Sequence, residues 1–131
     1  MENKEKIIQD SWKRSRSQGV EQEGWNPAVI VTGRELEILL KDSHELIDAA
    51  QPLMQSLYEL VASSGFVVVL LNAEGYIVEV IGQMDDAQSA WTRYYARGVK
   101  WTEDLVGTSA LGLALLGYGP IQVVGEEHYC K

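Results

Sequence analysis

Two stretches hold residue types and spacings that could do chemistry. In WTEDLVGTSALGLALLGYGP, Trp101 to Pro120, the glycines Gly107, Gly112, Gly117 and Gly119 stand among aliphatic residues, behind Trp101 and two acids. An interior helical glycine costs about 1 kcal/mol against alanine, so the glycines need a reason. A phosphate cradle requires a strand directly upstream and usually a basic residue, and Glu103 and Asp104 supply negative charge instead. What remains is a helix capped by Thr108 or Ser109, with Gly112 lying close to a sheet or to a ligand. Packing and a pocket wall both stay open. The second stretch is Glu126, Glu127, His128 and Cys130. These are metal-ligand types, but neighbours on an extended segment point to alternate sides, and no second cluster completes four ligands, so no metal is assigned. Ser109 lacks a His–acid pair at a recognisable spacing, and Cys130 stands alone near the end. No catalytic residue is assigned, and an enzyme is not expected.

The aromatic residues Trp91, Tyr94, Tyr95 and Trp101 pair an apolar ring with a polar tip, which suits a small ligand of mixed character. Trp91 and Tyr95, four apart, share one side of a helix. Core packing between helix and sheet is the competing reading for each ring.

The elements that must position these residues follow from periodicity. KEKIIQDSWKRSRSQG sets Ile8, Trp12 and Ser15 along one side of a first helix, with Ile7 beside them and Gly19 closing it. That stripe of Ile7, Ile8 and Trp12 is narrow for docking in a monomer core and suits a dimer seam; the basic run Lys13 to Arg16 reads as a solvated helix end. VEQEGWNPAV is an irregular linker. Thr32-Gly33-Arg34-Glu35 has the form of a capping box and opens a short helix. Asp42-Ser43-His44-Glu45 repeats the signal before a longer helix, which Pro52 should bend or split. FVVVLL, Phe66 to Leu71, reads as a buried strand. A turn at Asn72 to Gly75 returns the chain through a second strand, Tyr76 to Ile81, so the pair is antiparallel. DAQSAWTRYYARG predicts a helix stopped by Gly98, and Pro120 to Val124 a third strand. With no βαβ repeat, the fold is α+β around an antiparallel sheet.

The chain has 131 residues, enough for one domain with one core, of which 46% are hydrophobic and 23% charged. A net charge of −8 argues against a surface that tracks nucleic-acid phosphates. One cysteine allows no internal disulfide, no leader begins the chain, and FVVVLL is too short to span a bilayer. A soluble, cytoplasmic protein is expected, with no cofactor.

Several separated blocks, in order, resemble one family. SWKRS near the start, the short helix Glu35 to Leu40, and AAQPLMQSLYELVASSGFVVVLLNAEGYIVEVIG are similar to the N-terminal sensory region of sigma-54-dependent transcriptional activators. GVKWTEDLVGTSALGLAL followed by GEEHY resembles the pattern G-x-x-W-x-E-x-x-x-G-T-x-x-x-G-x-A-L … E-H-Y/F of the branch that regulates acetoin and glycerol catabolism. The resemblance implies a GAF-like antiparallel sheet flanked by helices, lacking the last strands at its C-terminal end. It divides the chain into residues 1–31, helix and linker for dimerisation, and residues 32–131, a sensory domain. It further implies a metabolite of the acetoin, glycerol or dihydroxyacetone kind as ligand, a homodimer, and an AAA+ ATPase with a DNA-binding module elsewhere. No G-x-x-x-x-G-K-[ST] loop occurs in these residues, so no direct nucleic-acid contact is expected. The residues assigned to the pocket are Tyr76, Trp91, Tyr95, Trp101, Thr108, Ser109 and Gly112. Ser109 stands where the family often has Asn, and Leu113 where it often has Thr, which makes the lining more apolar. The alternative is a ligand-free interaction module with a filled pocket.

Overall fold

A computed structural model describes residues 4–20, 29–62, 66–82 and 95–117. They divide into two units. One joins residues 1–29 with 100–131, and the other spans residues 30–99.

In the unit of residues 30–99, helices α2 (Gly33–Asp42) and α3 (His44–Val61) precede the hairpin of β1 (Val68–Leu71) and β2 (Ile77–Ile81). The strands pair antiparallel as expected, with Val69 opposite Val80 and a register shift between Leu70 and Leu71. The turn works through Asn72, whose Oδ1 accepts from the amides of Glu74 at 3.0 Å and Tyr76 at 3.1 Å. Gly75 completes the turn at φ 91°, a conformation that favours glycine. β2 buries Ile77, Val78 and Glu79 in succession, so both faces of this strand are covered. Residues 98–99 run alongside: the Ile77 amide donates to Val99 O, the Gly98 amide to Ile77 O, and the Val31 amide to Gly98 O.

Two local expectations are corrected. α3 runs as one helix from His44 to Val61 through Pro52, so it is not split there. Pro52 lies on the exposed side, and α3 rests along both strands with Met54 buried, so the packed face holds the helix across the one lost bond. The capping signals mark helix starts correctly but form no side-chain cap at Thr32 or Ser43. Ser43 sits at φ −96°, ψ 5°, outside the extended region an N-cap needs, because it also ends α2.

Glu79 is the buried carboxylate of this unit. It accepts from Arg97 Nε at 3.2 Å and also from Arg97 Nη2, from the Val80 amide at 3.0 Å, and from Gln51 Nε2 at 3.0 Å. Burial works to raise its pKa, but the Arg97, Val80 and Gln51 hydrogen bonds and the Arg97 charge together hold it below the ordinary carboxylate value. A lowered folded value means that Glu79 contributes stability above about pH 4.5 and loses it as pH falls through the folded value. In Glu79→Gln the acid limb of a stability–pH curve, followed by urea titration, is therefore expected to flatten.

In the other unit, α1 (Lys4–Ser17), α4 (Glu103–Val106) and α5 (Ala110–Leu115) are the described elements. Ile7 and Ile8 are buried and cluster with Leu113, with Trp12 half-buried against them. The stripe expected at a seam between copies is thus used inside this unit. The predicted helix from Asp86, stopped by Gly98, lies outside the described residues up to Tyr94, Trp91 included, and residues 95–98, which are described, are not helical; the third strand, Pro120 to Val124, also lies outside the described residues. So do Glu126, Glu127, His128 and Cys130. No helix among the described residues is long and apolar enough to cross a membrane.

Candidate functional site

The strongest constellation joins the two ends of the chain. α1 places Ser11 and Ser15 one turn apart on the face that also buries Ile8, and both serines are wholly buried. Ser15 Oγ donates to Ser11 O at 2.9 Å. Ser11 Oγ donates to Glu103 Oε2 at 2.7 Å across 92 residues of sequence. Arg14 adds a two-toothed grip, Nε to Oε1 at 2.6 Å and Nη2 to Oε2 at 3.1 Å. The Ser11 hydroxyl has one proton, committed to the carboxylate, so Thr108 Oγ1, 2.6 Å away, donates to Ser11. Glu103 is buried, with 6% of its side chain exposed, so this chain of hydrogen bonds is what makes a charge there tolerable. The basic run expected to be a solvated helix end is split: Arg14 is engaged, while Lys13 and Arg16 are exposed.

Local backbone chemistry sets these partners. α4 lasts only from Glu103 to Val106 and stops at Gly107, which adopts φ 76°, ψ −161°. That region is essentially confined to glycine. The turn delivers Thr108 to Ser11 and Ser109 to the start of α5, where the extended Ser109 accepts from the Gly112 amide at 3.1 Å. Gly107→Ala is expected to cost roughly 1–3 kcal/mol, read from a denaturant melt, because the same turn serves both contacts.

The capping role expected of Thr108 or Ser109 falls to Ser109. A Cβ on Gly112 would stand 3.4 Å from the Glu103 amide nitrogen and 3.6 Å from Trp101 O, so the close approach is to the backbone of the Trp101–Glu103 segment. Trp101, Thr108, Ser109 and Gly112 are all buried in this unit. Tyr76 and Tyr95 belong to the unit of residues 30–99. Tyr76 lines an open groove of about 450 Å³ with Ile38, Leu39 and Leu46. Tyr95 is half-buried, and burial pushes its hydroxyl above its ordinary pKa. His44 is exposed at the head of α3 and sits 3.2 Å from Asp48.

Sequence reasoning missed Ser11, Arg14 and Glu103 as partners. The available signal was a pair of serines at i, i+4 on the apolar stripe of an otherwise charged helix. Thr102 was missed too: its Oγ1 is buried and makes no hydrogen bond among the described residues.

No family model matches the chain. Over 129 residues, 94% of the chain, it is 36% identical to the acetoin catabolism regulatory protein of Cupriavidus necator. Over 125 residues, 95% of the chain, it is 28% identical to a signal-transduction and transcriptional-control protein of Clostridium beijerinckii. The chain spans about a fifth of the length of these relatives, 19% and 20% respectively. In the crystal structure of the E. coli DhaR(N)–DhaL complex, 42% of one chain matches 95% of this one with a TM-score of 0.82 at 20% identity. That likeness establishes the fold as α+β and GAF-like. The resemblance to the sensory region of sigma-54-dependent transcriptional activators is borne out, since the relatives are transcriptional regulators.

Proposed function

We propose that this chain is the small-molecule-sensing part of a sigma-54-dependent transcriptional activator, which acts on an AAA+ ATPase elsewhere in the polypeptide. The observation that carries this reading is the 36% identity, across nearly the whole chain, to a regulator of acetoin catabolism. The ligand class is a small hydroxylated or keto metabolite such as acetoin, glycerol or dihydroxyacetone. Thr102 supports that class. Its buried hydroxyl has no partner among the described residues, so a small hydroxylated guest beside Trp101 could gain a bond that no described residue makes. Such a ligand controls the output only through unequal affinity for two states of the domain. The domain works in the cytoplasm and is no enzyme. Of the residues assigned to ligand recognition, Trp101, Thr108, Ser109 and Gly112 share a unit with Thr102; Tyr76 and Tyr95 belong to the other unit, and Trp91 lies outside the described residues.

Titration with acetoin, glycerol and dihydroxyacetone, followed by tryptophan fluorescence and melting temperature, tests the proposal. A binder at a hundred times its Kd adds about 2.7 kcal/mol, a shift of several degrees. Thr102→Val should leave the free protein as stable or slightly more stable, because it removes an unpaired polar atom, and should weaken the ligand-induced shift. Absence of any shift with every candidate would leave the second reading, a ligand-free module that docks another protein. That reading is favoured by the internal engagement of the Thr108 and Ser109 hydroxyls, and the similar fold was crystallised in a protein complex.

A further inference from the structure

α1 is a basic element in an acidic chain. It holds five of the eleven lysines and arginines against two acids, so it carries +3 where the whole chain carries −8. One side of it opens on a groove of about 800 Å³, lined by Lys4, Glu5, Ile8, Trp12, Lys13 and Arg16 among the described residues. On the helix wheel Ile8 and Trp12 adjoin the buried Ser11 and Ser15, and Lys13 and Arg16 stand beyond them toward solvent. The groove therefore has an apolar inner side and a cationic outer rim. Arg14, in the same basic run, is bound to buried Glu103. Lys13 and Arg16 are exposed and pair with nothing among the described residues.

We propose that this groove binds an acidic amphipathic helix of a partner protein. Charge selects the sign of the occupant. Two unpaired cations beside a half-buried indole fit carboxylates that flank an apolar side chain, and Trp and Arg are the residues that most often anchor an interface. Length selects its shape. Lys4 to Arg16 covers more than three helical turns, about 18 Å, along which a second helix can lay anchors at i, i+4 and i+7. A metabolite of a few carbons fills only one end of it. The proposal does not rest on metabolite sensing: it uses the outer side of α1, whereas Ser11 and Arg14 are turned to Glu103.

The probe is a fluorescein-labelled synthetic helix of roughly 14 residues, long enough to follow the groove, with leucine along one face and glutamate on both flanks. Fluorescence anisotropy with the whole chain should show saturable binding that weakens as salt rises. Peptides with lysine in place of glutamate, or alanine in place of leucine, should bind at least about tenfold more weakly. Lys13→Glu combined with Arg16→Glu, at exposed positions, should weaken binding of the glutamate peptide by about tenfold or more, with circular dichroism unchanged. Arg34→Glu combined with Lys41→Glu changes the net charge equally, at exposed positions in the unit of residues 30–99, and should leave the affinity unchanged. No saturable binding of the glutamate peptide, equal binding of the lysine peptide, or equal loss in the two charge-reversed pairs overturns the proposal. Displacement of the peptide by excess glutarate, or by phosphatidylserine vesicles, assigns the groove to a small diacid or to a lipid surface and overturns the helical occupant. Loss of peptide binding as the chain is concentrated, with a rise in mass by light scattering, assigns it to a second copy and overturns it equally.

Discussion

Glu103→Ala is expected to destabilise the unit that contains α1 by about 3 kcal/mol, the lower end of what breaking a buried ion pair costs. The lower end applies because the Arg14 side chain, 36% exposed, can turn to water when its partner is gone. Ser11 cannot. It is wholly buried, and loss of the carboxylate leaves its proton without the acceptor that fixed the direction of the Thr108 bond. The reverse change, Arg14→Ala, leaves the charge on Glu103 with the Ser11 hydroxyl as its remaining side-chain donor of the three described bonds, and should cost at least as much. Because both changes dismantle one network, the double variant should lose less than the sum of the two. Urea unfolding of the four proteins measures this cycle. Strict additivity would mean that Arg14 and Glu103 are not coupled.

That network also accounts for why SWKRS and W-x-E-x-x-x-G-T belong to one pattern. Trp101 is 2% exposed; the acid, the glycine and the threonine that follow it each do a definable job. Glu103 receives Ser11 and Arg14, Gly107 makes the turn no other residue makes readily, and Thr108 closes the hydrogen-bond chain. The resemblance identified both blocks without saying that they touch.

What was legible in the sequence is what short-range physics dictates. The hairpin could be read because a continuous apolar, β-branched run and a returning strand flank an Asn-x-x-Gly turn, and its ends are right to within two residues. α1 and α3 could be read from 3.6-residue periodicity. The fate of Pro52 could not: whether a helix survives a missing amide depends on what its other face packs against. Arg14 failed for a related reason. A basic residue in a basic run looks solvated until the carboxylate 89 residues away is brought to it. Pairing across such a separation leaves no local trace in one chain. The orphan hydroxyl of Thr102 is equally silent, since burial is a property of the assembled fold.

Gly98→Ala is expected to be strongly damaging to the unit of residues 30–99. Gly98 adopts φ 95°, which costs an L-residue roughly 1–2 kcal/mol by itself. The greater penalty is steric. A Cβ there would stand 2.4 Å from Val31 O, a backbone atom that cannot swing aside as a side chain would, and 3.3 Å from Leu36 Cδ1. Relieving the collision means moving residue 31 or residue 98, and both are held. The Gly98 amide donates to Ile77 O at 2.8 Å, and the Val31 amide to Gly98 O at 3.0 Å. Ile77 is fully buried at the start of β2, so the disturbance reaches the core strand. A loss of about 3–5 kcal/mol follows, in the range reserved for combined strain and broken buried bonds. Gly19→Ala is the matched control: its φ is 77°, but an added Cβ would meet nothing within 4 Å, so it carries the conformational cost without the collision. Urea midpoints of the two variants, at an unchanged m-value, separate the two contributions. If Gly98→Ala loses no more than Gly19→Ala, the Val31 carbonyl yields easily, and residues 30–31 and 98–99 do not form the rigid seam beside β2.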